Sequence, residues 1–263
     1  MRRDFKSGSV YLGDCHKILP SLSNDSVEIV VTSPPYNLNL RASVSQSKVS
    51  RDAVNQFKDW YAETGDEEAY QRQQIEIISE LLRVSASSVF YNHKIRYAWH
   101  SRNKYRTPSR IYHPMDWLSG FPIWCEIIWD RCGIGRPTSR FHTQDERIYQ
   151  LGKPRKWSND EGLSNIWRLP PSRNKGHVCS FPDELVRRCL ITTTSKGDTI
   201  LDPYLGSGTS ALVAMREGRR FIGIEREQRF FDLACSRIEE AEKGQLRGPS
   251  ANKRPAPAPA SAG

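Results

Sequence analysis

Residues 199–216 read Thr-Ile-Leu-Asp-Pro-Tyr-Leu-Gly-Ser-Gly-Thr-Ser-Ala-Leu-Val-Ala-Met-Arg, and this stretch constrains the fold more than any other. A short apolar run enters a glycine-rich turn, and a helical pattern leaves it. A second apolar run, Phe221–Ile224, follows within a few residues. Strand, turn, helix and strand in that order make the unit of a parallel sheet covered by helices. Such sheets bind ligands beyond the carboxyl ends of their strands, so the glycine turn is placed at a binding edge. Gly206 and Gly208 permit tight turning and close backbone approach.

The rest of the chain extends the same pattern. Val10–Leu12 reads as a strand with a turn at Gly13-Asp14, and Val27–Thr32 as a strand ending at Ser33-Pro34-Pro35. Residues 67–83 place Tyr70, Ile75, Ile78 and Leu82 at helical spacing. Ser88–Tyr91 and Glu126–Trp129 read as strands, Asp183–Thr192 and Phe230–Glu239 as helices. The expected fold is α/β: a doubly wound, mostly parallel sheet with helices on both faces and long polar loops. Residues 37–57 show no clear periodicity, and 131–175 read as mostly irregular. One catalytic domain is expected over 1–242. The Pro/Ala-rich, basic residues 243–263 read as a disordered tail.

Two ligand classes fit the glycine turn locally. A phosphate loop needs a lysine after its last glycine, and there is none. A dinucleotide fingerprint fits loosely, because Gly206-x-Gly208-x-x-Ala211 is followed by Glu225 at the end of the next strand. Little sequence follows for the second half of a dinucleotide fold, and Asp202 just before the turn would repel a pyrophosphate. The same carboxylate suits the cationic amino-acid end of a sulfonium cofactor, and Glu225 suits a ribose. A nicotinamide oxidoreductase remains the rival enzyme class.

Thr32-Ser33-Pro34-Pro35-Tyr36 closes the other strand of interest. Tandem prolines fix φ and remove two backbone donors, which makes either a plain rigid turn or a preorganised site. The chemistry it suits is specific. An exocyclic amine on a nucleobase is a poor nucleophile, since its lone pair is delocalised into the ring. Ser33 Oγ and the Pro34 carbonyl could accept its hydrogens and aim the lone pair at a methyl donor, with Tyr36 stacked on the base. The base must first leave the helical stack.

Ser33-Pro34-Pro35-Tyr36 together with Asp202-Pro203-Tyr204-Leu205-Gly206-Ser207-Gly208-Thr209 resembles the amino-group DNA methyltransferases, and the catalytic-first order resembles their β class. The resemblance covers about residues 9–240. It implies a methyltransferase-type, Rossmann-like fold, S-adenosylmethionine as cofactor, and double-stranded DNA as partner. It also implies cofactor contacts from Asp14 and from the motif residues Asp202 to Thr209. Glu146 and the segment His177–Pro182 match further family positions. Tyr204 stands where the family usually has Phe. Ser33 is commoner among cytosine-N4 enzymes, whereas Asn37-Leu38-Asn39-Leu40 resembles adenine-N6 enzymes; the reading leans slightly to adenine and leaves cytosine open.

The net charge of +9 favours a polyanion, although solubility alone explains such an excess equally well. Lys94, Arg96, Arg102, Lys104, Arg106 and Arg110 lie between Tyr91 and His113 with no acid, interleaved with Tyr97, Trp99, Tyr105 and Tyr112. This segment is expected to meet DNA. A second basic group contains Arg131, Arg136, Arg140, Lys153, Arg155 and Lys156, with Trp157 and Trp167 nearby, and target recognition is assigned to about 131–175. A DNA-binding regulator without catalysis and an RNA methyltransferase are the other rivals. Six cysteines lack any CxxC pair, so no metal site is expected, and reduced thiols suggest a cytoplasmic protein. No membrane contact is expected, and a homodimer is left open.

Overall fold

The computed structural model describes residues 1–37, 66–99, 108–133, 141, 143–171 and 181–244. Its strands are β1 (Arg2–Phe5), β2 (Gly8–Leu12), β3 (Val27–Thr32), β4 (Ser85–His93), β5 (Arg96–Trp99), β6 (Pro108–Tyr112), β7 (Ile123–Asp130), β8 (Asp145–Leu151), β9 (Ile166–Arg168), β10 (Thr199–Asp202) and β11 (Arg220–Glu225). Its α-helices are α1 (Cys15–Ile18), α2 (Glu67–Val84), α3 (Met115–Leu118), α4 (Asp183–Thr193), α5 (Thr209–Arg216) and α6 (Gln228–Glu242). Nine strands form one sheet in the order β1-β2-β11-β10-β3-β4-β8-β7-β9, and β5 and β6 form a separate antiparallel pair. The five central strands, β2 to β4 in that order, are parallel; β8 is antiparallel to both of its neighbours. This is the expected helix-covered α/β sheet, with a mixed edge.

The strand residues alternate between two cores. Ile29, Val31, Phe90, Ile200 and Phe221 face α4, α5 and α6, while Val30, Val89, Tyr91, Leu201 and Ile224 face α1, α2 and α3. Burial on both faces explains why the strands read as continuous apolar runs rather than as alternating ones. Each fully buried Val, Leu or Ile contributes about 1.5–3 kcal/mol.

Two expectations change. In α2 the buried stripe is Tyr70, Gln74, Ile77, Ile78, Leu81 and Val84, while Ile75 is 41% exposed. The face is rotated from the one read off apolar residues, because Gln74 is held inside by the Tyr91 hydroxyl, 2.9 Å from its Oε1. Residues 131–175 also contain an interior strand, β8, inserted between β4 and β7. Its sequence, Asp-Glu-Arg-Ile-Tyr-Gln-Leu, looks polar, yet Glu146 and Gln150 are buried with partners supplied by other strands. Pairing of that kind is invisible to a hydropathy pattern. The expected tail from residue 245 onward lies outside the described residues.

Candidate active site

The parallel register brings the carboxyl ends of β2, β11, β10, β3 and β4 to one edge. At β10 the chain leaves through Pro203 and Tyr204 into the glycine turn. Gly206 has φ +54° and Gly208 φ +86°, both left-handed. A Cβ on Gly208 would lie 3.1 Å from Ala234 Cβ, so the turn is seated directly on α6. Arg237 on α6 donates to the Ser207 carbonyl and clamps the turn from below. The side-chain oxygens of Ser207 and Thr209 are buried, and neither has a hydrogen-bond partner among the described residues. Buried hydroxyls without partners are costly, and a ligand's polar groups could satisfy these two.

Asp14, Asp202 and Glu225 lie around this turn, each with its carboxylate hydrogen-bonded. Asp14 accepts from the His16 amide at 3.0 Å and caps α1, while the adjoining Gly13 amide donates to the Glu225 carbonyl at 2.9 Å. The Glu225 carboxylate accepts from the Gly206 and Glu227 amides, each at 2.8 Å. Burial raises its pKa, and these amides oppose that rise. Asp202 is buried and accepts from Ser210 Oγ (2.6 Å), Thr32 Oγ1 (3.1 Å) and the Tyr204 amide (3.1 Å). Burial pushes its carboxyl up to about 6 despite those three donors. The oxygens of Asp202 hold β3, the turn and α5 together.

One strand away, β3 ends at Ser33-Pro34-Pro35-Tyr36. Ser33 is half-buried, and its Oγ lies 2.8 Å from the Tyr36 hydroxyl. That hydroxyl donates to Glu146 Oε2 at 2.9 Å and accepts from Asn92 Nδ2 at 2.7 Å. Glu146 Oε1 pairs with Arg131 at 3.0 Å. The Pro35 carbonyl accepts from the Tyr70 hydroxyl at 2.8 Å, which fixes the tandem-proline turn to α2. The Tyr36 ring packs on His93, with centroids 4.7 Å apart, and Lys94 Nζ lies 5.5 Å from its centroid. His93 is fully buried, and burial, with Arg96 nearby, depresses its pKa well below the usual imidazole range.

Sequence reasoning missed Asn92, His93, Tyr70 and Arg237. Asn92 and His93 had a readable signal, since they end a strand that pairs with β3 at Thr32↔Tyr91 and so reach the same edge. Tyr70 and Arg237 come from helices and carry no local mark.

The basic segment divides. Arg110 is exposed, and Lys94 sits beside Tyr36. Arg96 is not a surface cation. Its side chain is 4% exposed and bonds Glu67 through both terminal nitrogens, one at 2.6 Å, among the rings of Tyr70, Tyr112 and Trp117. Tyr91, at the head of the segment, is likewise core. Arg102, Lys104, Arg106, Arg136, Arg140 and His177 lie outside the described residues. In the second basic group Arg131 is tied to Glu146 and Trp167 is buried, while Trp157 is exposed. No group of His, Cys, Asp or Glu able to hold a metal occurs among the described residues, and no described helix is long and apolar enough to cross a membrane.

The chain matches the DNA methylase family over residues 27–236. It belongs to that family. Among curated relatives, it is 25% identical to the type II methyltransferase M.Cfr9I of Citrobacter freundii, over 93% of this chain and 92% of that one. It is also 25% identical to the type II methyltransferase M.BglII of Bacillus subtilis, over 86% of this chain and 67% of that one. Two solved structures share the fold. PvuII DNA methyltransferase (cytosine-N4-specific) superposes with a TM-score of 0.69 at 18% identity, covering 90% of this chain and 91% of that one. A DNA modification methylase of Thermus thermophilus, solved with S-adenosyl-L-methionine, gives 0.63 at 23% identity, covering 88% and 93%.

Proposed function

We propose that this DNA methylase transfers a methyl group from S-adenosylmethionine to the exocyclic amine of a flipped base in duplex DNA, and that the base is cytosine. The observation that carries the reaction is the adjacency of two motifs. Ser33 follows β3, the glycine turn begins at the end of β10, and Thr32 is hydrogen-bonded to Asp202 between them.

The residues fit the cofactor. The partnerless hydroxyls of Ser207 and Thr209 line the turn, and Glu225 brings a carboxylate to the place a ribose would take. When bound, the cofactor supplies an electrophilic methyl on a sulfonium. The protein supplies position. Ser33 Oγ and the Pro34 carbonyl accept the two amine hydrogens, so the nitrogen lone pair turns out of the ring plane. Tyr36 offers the ring face now covered by Lys94. The proton displaced from the methylated amine leaves to solvent.

Cytosine rests on Ser33, which is commoner among cytosine-N4 enzymes, and PvuII methyltransferase, which shares the fold, is cytosine-N4-specific. Of the adenine cue, Asn37 Nδ2 donates to Glu67 at 3.1 Å, and residues 38–40 lie outside the described residues. Purified protein, labelled cofactor and plasmid DNA followed by nucleoside mass spectrometry test both levels. N4-methylcytosine is expected; N6-methyladenine overturns the base assignment, and no labelled nucleoside overturns the reaction. The same reading places the protein with cytoplasmic DNA, with about residues 131–175 contributing to target recognition. A homodimer is proposed as well, for which sedimentation is the check.

A further inference from the structure

Around Ser33 the hydrogen bonds admit one direction. Four groups meet: Ser33 Oγ, the Tyr36 hydroxyl, Asn92 Nδ2 and the Glu146 carboxylate. Glu146 Oε2 only accepts, and it faces both the Tyr36 hydroxyl (2.9 Å) and Asn92 Nδ2 (3.1 Å). Asn92 must therefore turn its amide nitrogen, not its oxygen, toward the cluster. The nitrogen only donates, and it sits 2.7 Å from the Tyr36 hydroxyl and 3.3 Å from Ser33 Oγ. Tyr36 has one hydrogen, and the carboxylate takes it. The 2.8 Å approach of Ser33 to Tyr36 is then satisfied only if Ser33 donates. Asn92, Tyr36 and Glu146 are all buried, and Ser33 is half-buried at the edge of the cluster. Arg131, 3.0 Å from the other oxygen of Glu146, holds that carboxylate in place.

We infer that Glu146, Tyr36 and Asn92 act as positioning residues that point the Ser33 hydroxyl hydrogen away from the target amine, so that Ser33 Oγ presents a lone pair to it. A free serine hydroxyl donates as readily as it accepts, and donating to the amine nitrogen would tie up the lone pair that must attack the methyl group. The chain Ser33→Tyr36→Glu146 removes that alternative before the base arrives. This gives the Tyr36 hydroxyl a task separate from its ring, and gives Glu146, 110 residues away in sequence, a reason to lie inside β8. The inference rests on methyl transfer to an amine as proposed above.

The test is a thermodynamic cycle on the single-turnover methylation rate of the full chain with cofactor and duplex DNA. Tyr36→Phe keeps the ring and deletes the hydroxyl. It should slow transfer by about 10- to 100-fold. Cofactor affinity should hold, as should the fluorescence of a base analogue that reports flipping at the target position. In a Ser33→Ala background the same substitution should cost less than about twofold, since no serine proton is left to orient. Glu146→Gln provides a second arm with the same expected pattern if Tyr36→Phe fails to fold. A purely architectural role predicts equal losses in both backgrounds, and that result overturns the inference, as does a wild-type rate for Tyr36→Phe. If the unaltered protein transfers no methyl group, the functional reading fails instead of this one.

Discussion

Thr32 Oγ1 donates to Asp202 Oδ1 at 3.1 Å, across the boundary between β3 and β10 and 170 residues of sequence. The last residue of the catalytic strand and the last residue of the cofactor strand are thus tied by a fully buried bond. Asp202 carries a cost for this position, because burial raises its carboxyl from 3.8 to about 6. The group's raised folded-state value means that its favourable contribution is present below pH about 4 and is lost as the pH rises through about 6. A shift of this size corresponds to roughly 3 kcal/mol. Denaturant unfolding of the wild type and Asp202→Asn between pH 4 and 7 should show the wild type losing about that much relative to the variant as pH rises. A constant difference across that range would contradict the assignment.

Gly208 combines a left-handed backbone with close packing against Ala234. Gly208→Ala should destabilise the protein by about 1–3 kcal/mol through strain and overpacking. It should also weaken S-adenosylmethionine binding at least about tenfold, as the turn moves off α6. Thermal melting and titration calorimetry measure the two effects. Unchanged calorimetric affinity in the folded variant would remove the turn from the cofactor site.

Ser33→Ala removes one acceptor and leaves the glycine turn untouched. The single-turnover rate should fall by about 30- to 1,000-fold, because one hydrogen bond aimed at the reacting group is worth about 2–4 kcal/mol in the transition state. Affinities for cofactor and DNA should change little. A near-wild-type rate would sink the role assigned to this hydroxyl.

The two halves of the 91–113 segment should respond differently to neutralisation. Arg110 is exposed, so Arg110→Ala should reduce the slope of log affinity for DNA against log salt by about one for each phosphate the arginine neutralises. Arg96→Ala should leave that slope alone and cost about 3 kcal/mol of stability, since it leaves Glu67 without its cationic partner. Salt titrations and melting curves separate the two. An unaltered slope for Arg110→Ala would exclude it as a phosphate ligand.

Much of this molecule is local. The strand from Val27 to Thr32, the helix from Thr209 to Arg216 and the glycine turn between Asp202 and Thr209 follow from apolar runs and from turn chemistry a few residues long. Those short-range patterns sufficed to put Ser33-Pro34-Pro35-Tyr36 and the glycine turn at strand ends, and so at a binding edge. What they could not supply is the pairing of groups far apart in the chain. Glu146 and Gln150 read as surface residues until Tyr36, Asn92 and Ser88 arrive from other strands to meet them. Arg96 reads as a DNA cation until Glu67 on α2 closes over it, and Asp202 reads as an unpaired turn carboxylate until Thr32 and Ser210 reach its oxygens. A polar side chain is buried or exposed according to whether a partner offsets its desolvation, and only the tertiary structure decides where that partner stands.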